Sequence, residues 1–273
     1  MTTPARLAVL GTALLAIGCA RGAAQTIDIA TTTSVQNSGL LGHLLPIFEQ
    51  ASGITVRVHA AGSGRALQML TDGVVDAVIS HAPDTEQRLL PQHPDWRYRK
   101  VAHNWFVLAG PEADPARVSE AADAVAAFQR IADSGEKFVS RGDESGPHER
   151  ERILWTAAGR QPAPEKLMVS GRGMAQARRH ASEARGYVLT DASTFWQLAS
   201  VVDLEILFEN DRRLLTTYAV IHPSGSGATA FAAWLASADG GKAIAALTID
   251  GKRAFEPWPS GCAAQQPTDL PCS

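Results

Sequence analysis

Apolar runs that read as strands are followed, again and again, by segments of helical periodicity: "TIDIATT" by "GLLGHLLPIFEQASG", "ITVRVHAAG" by "RALQMLTDG", "DAVIS" by "DTEQRLL". Each sheet face and each helix stripe must bury its apolar side against another element, so this alternation predicts an α/β fold with a mostly parallel sheet covered by helices. The middle of the chain repeats it: "KFVSRGD", a helix over about 148–158, "KLMVSG", a helix over about 174–183, and "GYVLTD". "LEILFE" and "LLTTYAVIHP" follow, and "FAAWLASADGGKAIAAL" closes the pattern with helix.

Two segments read as crossings between lobes, "NWFVLAGP" ending at Pro111 and "TTYAVIHP" ending at Pro223. Each is an apolar strand stopped by proline, and together they bracket a self-contained α/β block. The expected organisation is a discontinuous first lobe, 25–108 and 218–260, with a second lobe, 109–217, inserted between its halves, and a tail at 261–273. Residues 1–24 join Arg6 to an apolar run from Leu7 to Ala20 and then to small residues, the layout of an export signal too short to span a membrane. Cleavage is read after Ala24, with lipid attachment at Cys19 in "LAIGC" as the alternative. Of the 3 cysteines, Cys262 and Cys272 flank the tail segment "CAAQQPTDLPC", where an oxidising compartment would pair them.

A net charge of −3, evenly spread, argues against nucleic acid or an anionic membrane as partner, so any anion must be caught locally. Three strand-to-helix junctions, with a fourth beside them, offer the means, because ligands of open α/β sheets bind there. "ATTTSVQNSG" places Thr31, Thr32, Thr33 and Ser34 after a strand; "HAAGSGRALQ" places Ser63 and Gly64 where a helix exposes its first N–H groups. "SRGDESGPHERER" sets Arg141, Ser145 and Gly146 just before a helix, and "VSGRGMAQ" sets Gly171, Gly173 and Met174 before another. The plainer account of the third junction is a helix capped by Ser145, with an ordinary ion pair from Arg141 to Asp143 or Glu144.

Catalytic templates fit poorly. Neither Ser63 nor Ser145 has the upstream glycine of a G-x-S-x-G elbow, and no H-E-x-x-H or paired C-x-x-C occurs. The 8 histidines are scattered, His81 at a strand end and His148 in a helix's first turn among them. No catalytic residue, metal site or cofactor is expected. An exported phosphate- or sulfate-ester hydrolase with Ser63 or Ser145 as nucleophile remains the enzymatic alternative, and it would need a base or metal within reach.

"TTTSVQNSGLLGHLLPIFEQASGITVRVHAAGSGRALQ", "AVISHAP", "KFVSRGDESGPHERER", "GRGMAQA", "YVLTD" and "YAVIHP", in this order, resemble the tungstate-binding proteins of bacterial ABC importers. The resemblance implies a type II periplasmic-binding-protein fold, two α/β lobes joined by a two-strand hinge with the ligand cleft between them. It implies a monomeric periplasmic protein that delivers tungstate, or molybdate, to a membrane permease and ATPase. It also implies that Thr32, Thr33, Ser63, Arg141 and Ser145 surround the oxyanion, with Ser34, Gly64, Gly146, Gly173, Met174 and Thr190 as supporting or backbone donors. Two positions depart from the family pattern: Pro147 stands where a threonine is usual, and Ala192 where an arginine is common.

The residue types suit the ligand. Tungstate is a dianion at neutral pH, so it needs donors: Ser and Thr hydroxyls can turn a proton toward it, helix-start N–H groups can only donate, and arginine keeps its charge. A receptor for protonated phosphate, the alternative within binding proteins along with sulfate, would need a carboxylate acceptor such as Asp143 or Asp191. Asp143 is read instead as orienting Arg141. A sensory receptor using the same closure is a further alternative.

Overall fold

The computed structural model describes residues 25–143, 145–171, 173–197 and 202–267; the export signal read at 1–24 and Cys272 lie outside them. In chain order the elements are β1 (Thr26–Thr32), α1 (Thr33–Asn37), α2 (Leu40–Ser52), β2 (Thr55–Ala61), α3 (Ser63–Thr71), β3 (Ala77–Ser80), α4 (Pro83–Leu89) and β4 (Trp96–Gly110). Next come α5 (Ala124–Ser134), β5 (Phe138–Ser140), α6 (Gly146–Ala158), β6 (Leu167–Val169), α7 (Gly173–Ala184), β7 (Val188–Asp191), α8 (Ala192–Gln197) and β8 (Glu205–Phe208). The chain ends with β9 (Leu215–Pro223), α9 (Thr229–Leu235), α10 (Ala238–Ala246), β10 (Thr248–Ile249), β11 (Lys252–Arg253) and β12 (Glu256–Pro257).

The strand–helix alternation is present, but the main sheet is mixed, in the order β12-β4-β9-β3-β1-β2. Strands β1, β2 and β3 run parallel, while β9, β4 and β12 pair antiparallel. This corrects the expectation of a mostly parallel sheet. The cause is β9, which inserts between β3 and β4 on the chain's return from the second lobe and runs against both, whereas β4 follows β3 through helix α4 and keeps its direction.

Strand β4 is 15 residues long and belongs to both lobes. Its first part, Trp96–Trp105, pairs with β9, and its second part pairs with β7 and β8. Side chains alternate across each sheet, so each lobe has a core on either face. In the first lobe Ile27, Ile29, Phe48, Ala102, Val220 and Phe231 pack on one face, and Leu67, Val78, Trp96 and Ile221 on the other. In the second, Phe106, Leu108, Phe128 and Trp155 share one core, and Val107, Ala109, Val188 and Phe195 the other. The cores part between Ala102 and Phe106 and between Leu214 and Tyr218. On the outward strand this is a few residues before the expected boundary, because Pro111 ends β4 only after the strand has crossed.

Helix α5, capped by the Asp123 carboxylate accepting from Ala126 N–H at 2.7 Å, is not anticipated by the sequence reading. The closing helical stretch is broken into α9 and α10 at Ser237, whose hydroxyl oxygen caps α10 by accepting from Gly240 N–H. Cys262 is disulfide-bonded. No helix among the described residues is long and apolar enough to cross a membrane, and no group of His, Cys, Asp or Glu there could hold a metal.

Candidate functional site

The carboxyl ends of β1, β2 and β3 line one side of the cleft between the lobes. At the end of β1, Thr31 is tied into the sheet by donating to the Ile79 carbonyl. Thr32 is buried and caps α1, its Oγ1 accepting from Val35 N–H at 3.2 Å. Thr32 Oγ1 and Ser34 Oγ lie 3.3 Å apart, and His81 Nε2, at the end of β3, lies 3.0 Å from the first and 3.2 Å from the second. Ser63 opens α3 fully buried, and its hydroxyl has no partner among the described residues; the same holds for Ser80 Oγ.

The ends of β5 and β6 form the other side. Arg141 is 1% exposed, which rules out the surface ion pair. Its Nη2 donates to Asp143, while Nε and Nη1 have no partner among the described residues. Ser145 stands at the N-cap position of α6, but its hydroxyl does not cap: Oγ and the backbone N–H both donate to Asp143 Oδ1. Asp143 therefore orients Arg141, as the sequence suggested, and holds Ser145 as well. Burial pushes the Asp143 carboxyl up, but Arg141 and the Ser145 donors outweigh it and keep it below the usual carboxylate range. Ser170, beyond β6, has a buried hydroxyl with no partner among the described residues.

The two sides are in contact. A Cβ at Gly146 would fall 2.0 Å from the His81 carbonyl oxygen, one at Gly173 would lie 3.3 Å from Thr33 Oγ1, and one at Gly62 3.9 Å from the Asp143 carbonyl. Glu149, in the first turn of α6, reaches the first turn of α4 in the other lobe, accepting from Thr85 Oγ1 and from Asp84 N–H. A cavity of about 410 Å³ opens where Thr33, Asn37, Gly62, Asp143, Gly171 and Gly173 meet, with walls from both lobes.

Gly64 lines a separate groove with Thr85, His148 and Glu149. Met174 is buried, and Thr190 turns its hydroxyl to the Asp191 carbonyl at 3.4 Å. Pro147 sits buried in the first turn of α6, where its missing N–H removes one possible donor. Ala192 opens α8, and the buried Arg178 of α7 faces Asp191 while donating Nη1 to the Thr194 carbonyl.

Glu151 escapes sequence reading altogether. It lies one turn into a charged helical pattern, "HERER", with nothing local to mark it as inward, yet it is 1% exposed. Its carboxylate accepts from Ser140 Oγ and from Arg141 N–H, anchoring the backbone that carries the arginine. Burial raises its pKa to about 7 despite those donors. A carboxyl whose folded pKa exceeds its unfolded one stabilises the fold fully below the unfolded value and loses that contribution as pH rises through the folded one. The parent protein is therefore expected to lose on the order of 3 kcal/mol between pH 4 and 8 relative to Glu151→Gln. Urea unfolding of both proteins across that range checks it, and parallel profiles would show that Glu151 does not titrate there.

The arrangement gives little support to acyl or phosphoryl chemistry. The Ser145 hydroxyl faces a carboxylate already held by Arg141, and Ser63 has no base bonded to it among the described residues. What the two lobes present to each other at these strand ends is a set of buried hydroxyls on one side and a buried guanidinium on the other.

Comparison with known proteins bears on the same site. Residues 20–239 match the family model described as a PBP superfamily domain. The chain is 36% identical over 222 residues to the tungstate-binding protein TupA of Peptoclostridium acidaminophilum, covering 78% of each chain. It is 34% identical to a putative ABC transporter anion-binding protein of Haloferax volcanii, covering 86% of this chain and 73% of that one. The solved structure of TupA from Desulfovibrio alaskensis G20 superposes with a TM-score of 0.73 at 36% identity, over 86% of this chain and 99% of that one.

Proposed function

The chain belongs to the PBP superfamily, within the family of the TupA tungstate-binding proteins, and on that premise we propose that it is an extracytoplasmic receptor that captures tungstate between its lobes and passes it to an ABC importer. The observation that carries this reading is Arg141, a guanidinium buried to 1% exposure with Nε and Nη1 unpartnered among the described residues. A buried cation with open donors is costly unless an anion completes it. The unpartnered hydroxyls of Ser63 and Ser170 supply neutral donors of the kind an oxyanion accepts.

The state of Asp143 favours a fully deprotonated ligand. Oδ2 accepts from Arg141 and Oδ1 from both donors of Ser145, so about three of the carboxylate's four acceptor sites are already engaged within its own lobe. Asp191 is the other carboxylate considered for that role; its Oδ1 accepts from Ser193 Oγ and Thr194 N–H, within the second lobe. Molybdate, with the same charge and nearly the same shape as tungstate, is the expected second ligand.

Because donors come from both lobes, the anion binds the apposed form better and draws the hinge strands β4 and β9 toward closure. Closure is the signal that a permease and its ATPase read, with no catalytic step and no cofactor. Calorimetric titration of the mature protein with tungstate, molybdate, sulfate and phosphate, alongside small-angle scattering, tests the reading. Tungstate and molybdate are expected to bind far more tightly than the other two and to reduce the radius of gyration. Binding of none of the four would refute the proposal, and tightest binding of phosphate would replace it with a phosphate receptor.

A further inference from the structure

His81 has no assigned part in the oxyanion site, yet it sits against that site's hydroxyls. Its Nε2 is within 3.2 Å of both Thr32 Oγ1 and Ser34 Oγ, its ring stacks on Tyr218 of β9 at 5.1 Å and 12°, and it is 1% exposed. Resting on the anion reading above, we infer that His81 is a positioning residue: a neutral imidazole protonated on Nε2, it donates to the Thr32 and Ser34 oxygens and takes up neither hydroxyl proton, so that of this pair, 3.3 Å apart and able to bond to each other, at least one proton is left for the bound dianion.

Each hydroxyl has a single proton and two acceptor sites. Thr32 Oγ1 already accepts from Val35 N–H. With a proton on Nε2 the ring fills a further acceptor site and consumes no hydroxyl proton. With the proton on Nδ1, the Nε2 lone pair would draw a proton from Thr32 or Ser34, and the anion side would lose a donor.

The surroundings select the first tautomer. Nδ1 has no partner among the described residues and lies 3.1 Å from where a Cβ of Gly146 would stand, pressed against the first turn of α6. A buried N–H with no acceptor is rarer and costlier than an idle lone pair, so the proton belongs on Nε2, where two oxygens receive it. The doubly protonated ring is disfavoured by burial and by the Arg141 guanidinium facing it, with Asp143 opposing only in part, which lowers the His81 pKa to about 3. The ring plane is held from the hinge, since Tyr218, on which it stacks, donates its hydroxyl to Asn104 in β4 at 3.1 Å.

Nitrogen-15 NMR of the imidazole in the unaltered, anion-free protein reads the tautomer directly. A pyrrole-like Nε2 and a pyridine-like Nδ1, constant from pH 5 to 8, are expected. A pyrrole-like Nδ1, or titration within that range, would overturn the inference whatever the protein binds. A second measurement is tungstate titration of folded variants. His81→Met, which fills the ring's volume without a donor, should weaken binding roughly tenfold to a hundredfold, the worth of one hydrogen bond to a charged partner. His81→Gln should recover most of that loss by placing an amide N–H near the Nε2 position. Equal losses in the two variants would reduce His81 to a packing residue. Failure of the unaltered protein to bind tungstate would sink the anion reading instead, and the NMR result would stand apart from it.

Discussion

Arg141→Ala is expected to weaken tungstate binding by roughly 30-fold to several thousandfold, the equivalent of the 2 to 5 kcal/mol lost when one partner of a buried, hydrogen-bonded charge pair is removed. The guanidinium is buried, one nitrogen is committed to Asp143, and Nε and Nη1 remain to meet the ligand. Removing it leaves the dianion without its cation and leaves Asp143 as an uncompensated negative charge beside the site, so both effects act in one direction. Arg141→Lys should recover only part of the loss. An ammonium keeps the charge but cannot hold Asp143 and the oxyanion at once with a planar fork. Calorimetry on folded variants decides the matter: affinity of Arg141→Ala within threefold of the parent would mean that the arginine serves only Asp143.

Gly146→Ala is expected to separate binding from folding. The position is the first residue of α6, where alanine is a better helix former than glycine, so the second lobe should be no less stable. The added methyl, however, would fall 2.0 Å from the His81 carbonyl oxygen and 3.0 Å from its carbon, both backbone atoms of the opposite lobe. Backbone cannot swing aside as a side chain can, so the lobes would have to stand about 1 Å further apart. Hydrogen bonds to a charged ligand weaken steeply with such a gap, and the loss of one or two of them lowers affinity by roughly tenfold to several hundredfold. The variant should keep the parent's thermal stability without ligand and lose most of the stabilisation that tungstate confers. Gly42→Ala, where a Cβ meets nothing within 4 Å, is the control and should bind like the parent. A Gly146→Ala protein that still closes with parental affinity would show that the apposition of Gly146 and His81 is no part of the bound state.

Much of the lobe architecture was legible because it is written in local periodicity. Strands β1, β2 and β3 and helices α2, α3, α6 and α7 fall where alternation and 3.6-residue spacing place them, to within a few residues. The mixed sheet was not legible, because strand direction depends on where the chain returns, and β4 and β9 read alike in either sense. Helix α5 is anchored by residues distant in sequence: Phe128 packs on Phe138 and Trp155, and Asp211 accepts from Ala124 N–H.

The same division runs through the site. By its own composition, the sequence determined that hydroxyls, glycines and one arginine stand at strand ends just before helices, and that chemistry suits an anion because such groups donate and helix starts expose unpaired N–H groups. Only the tertiary structure decided how those donors are directed. It turned the Ser145 hydroxyl from cap to partner of Asp143, set Glu151 beneath the Arg141 backbone, and brought His81 against Thr32 and Ser34 across 47 and more residues of chain. Which way a proton points depends on which acceptors lie within about 3 Å, and neighbours at that distance come from β3, β5 and α6. Local sequence carries the residue type and its helix or strand; long-range packing sets the hydrogen-bond partner, and with it the face each donor offers to a ligand.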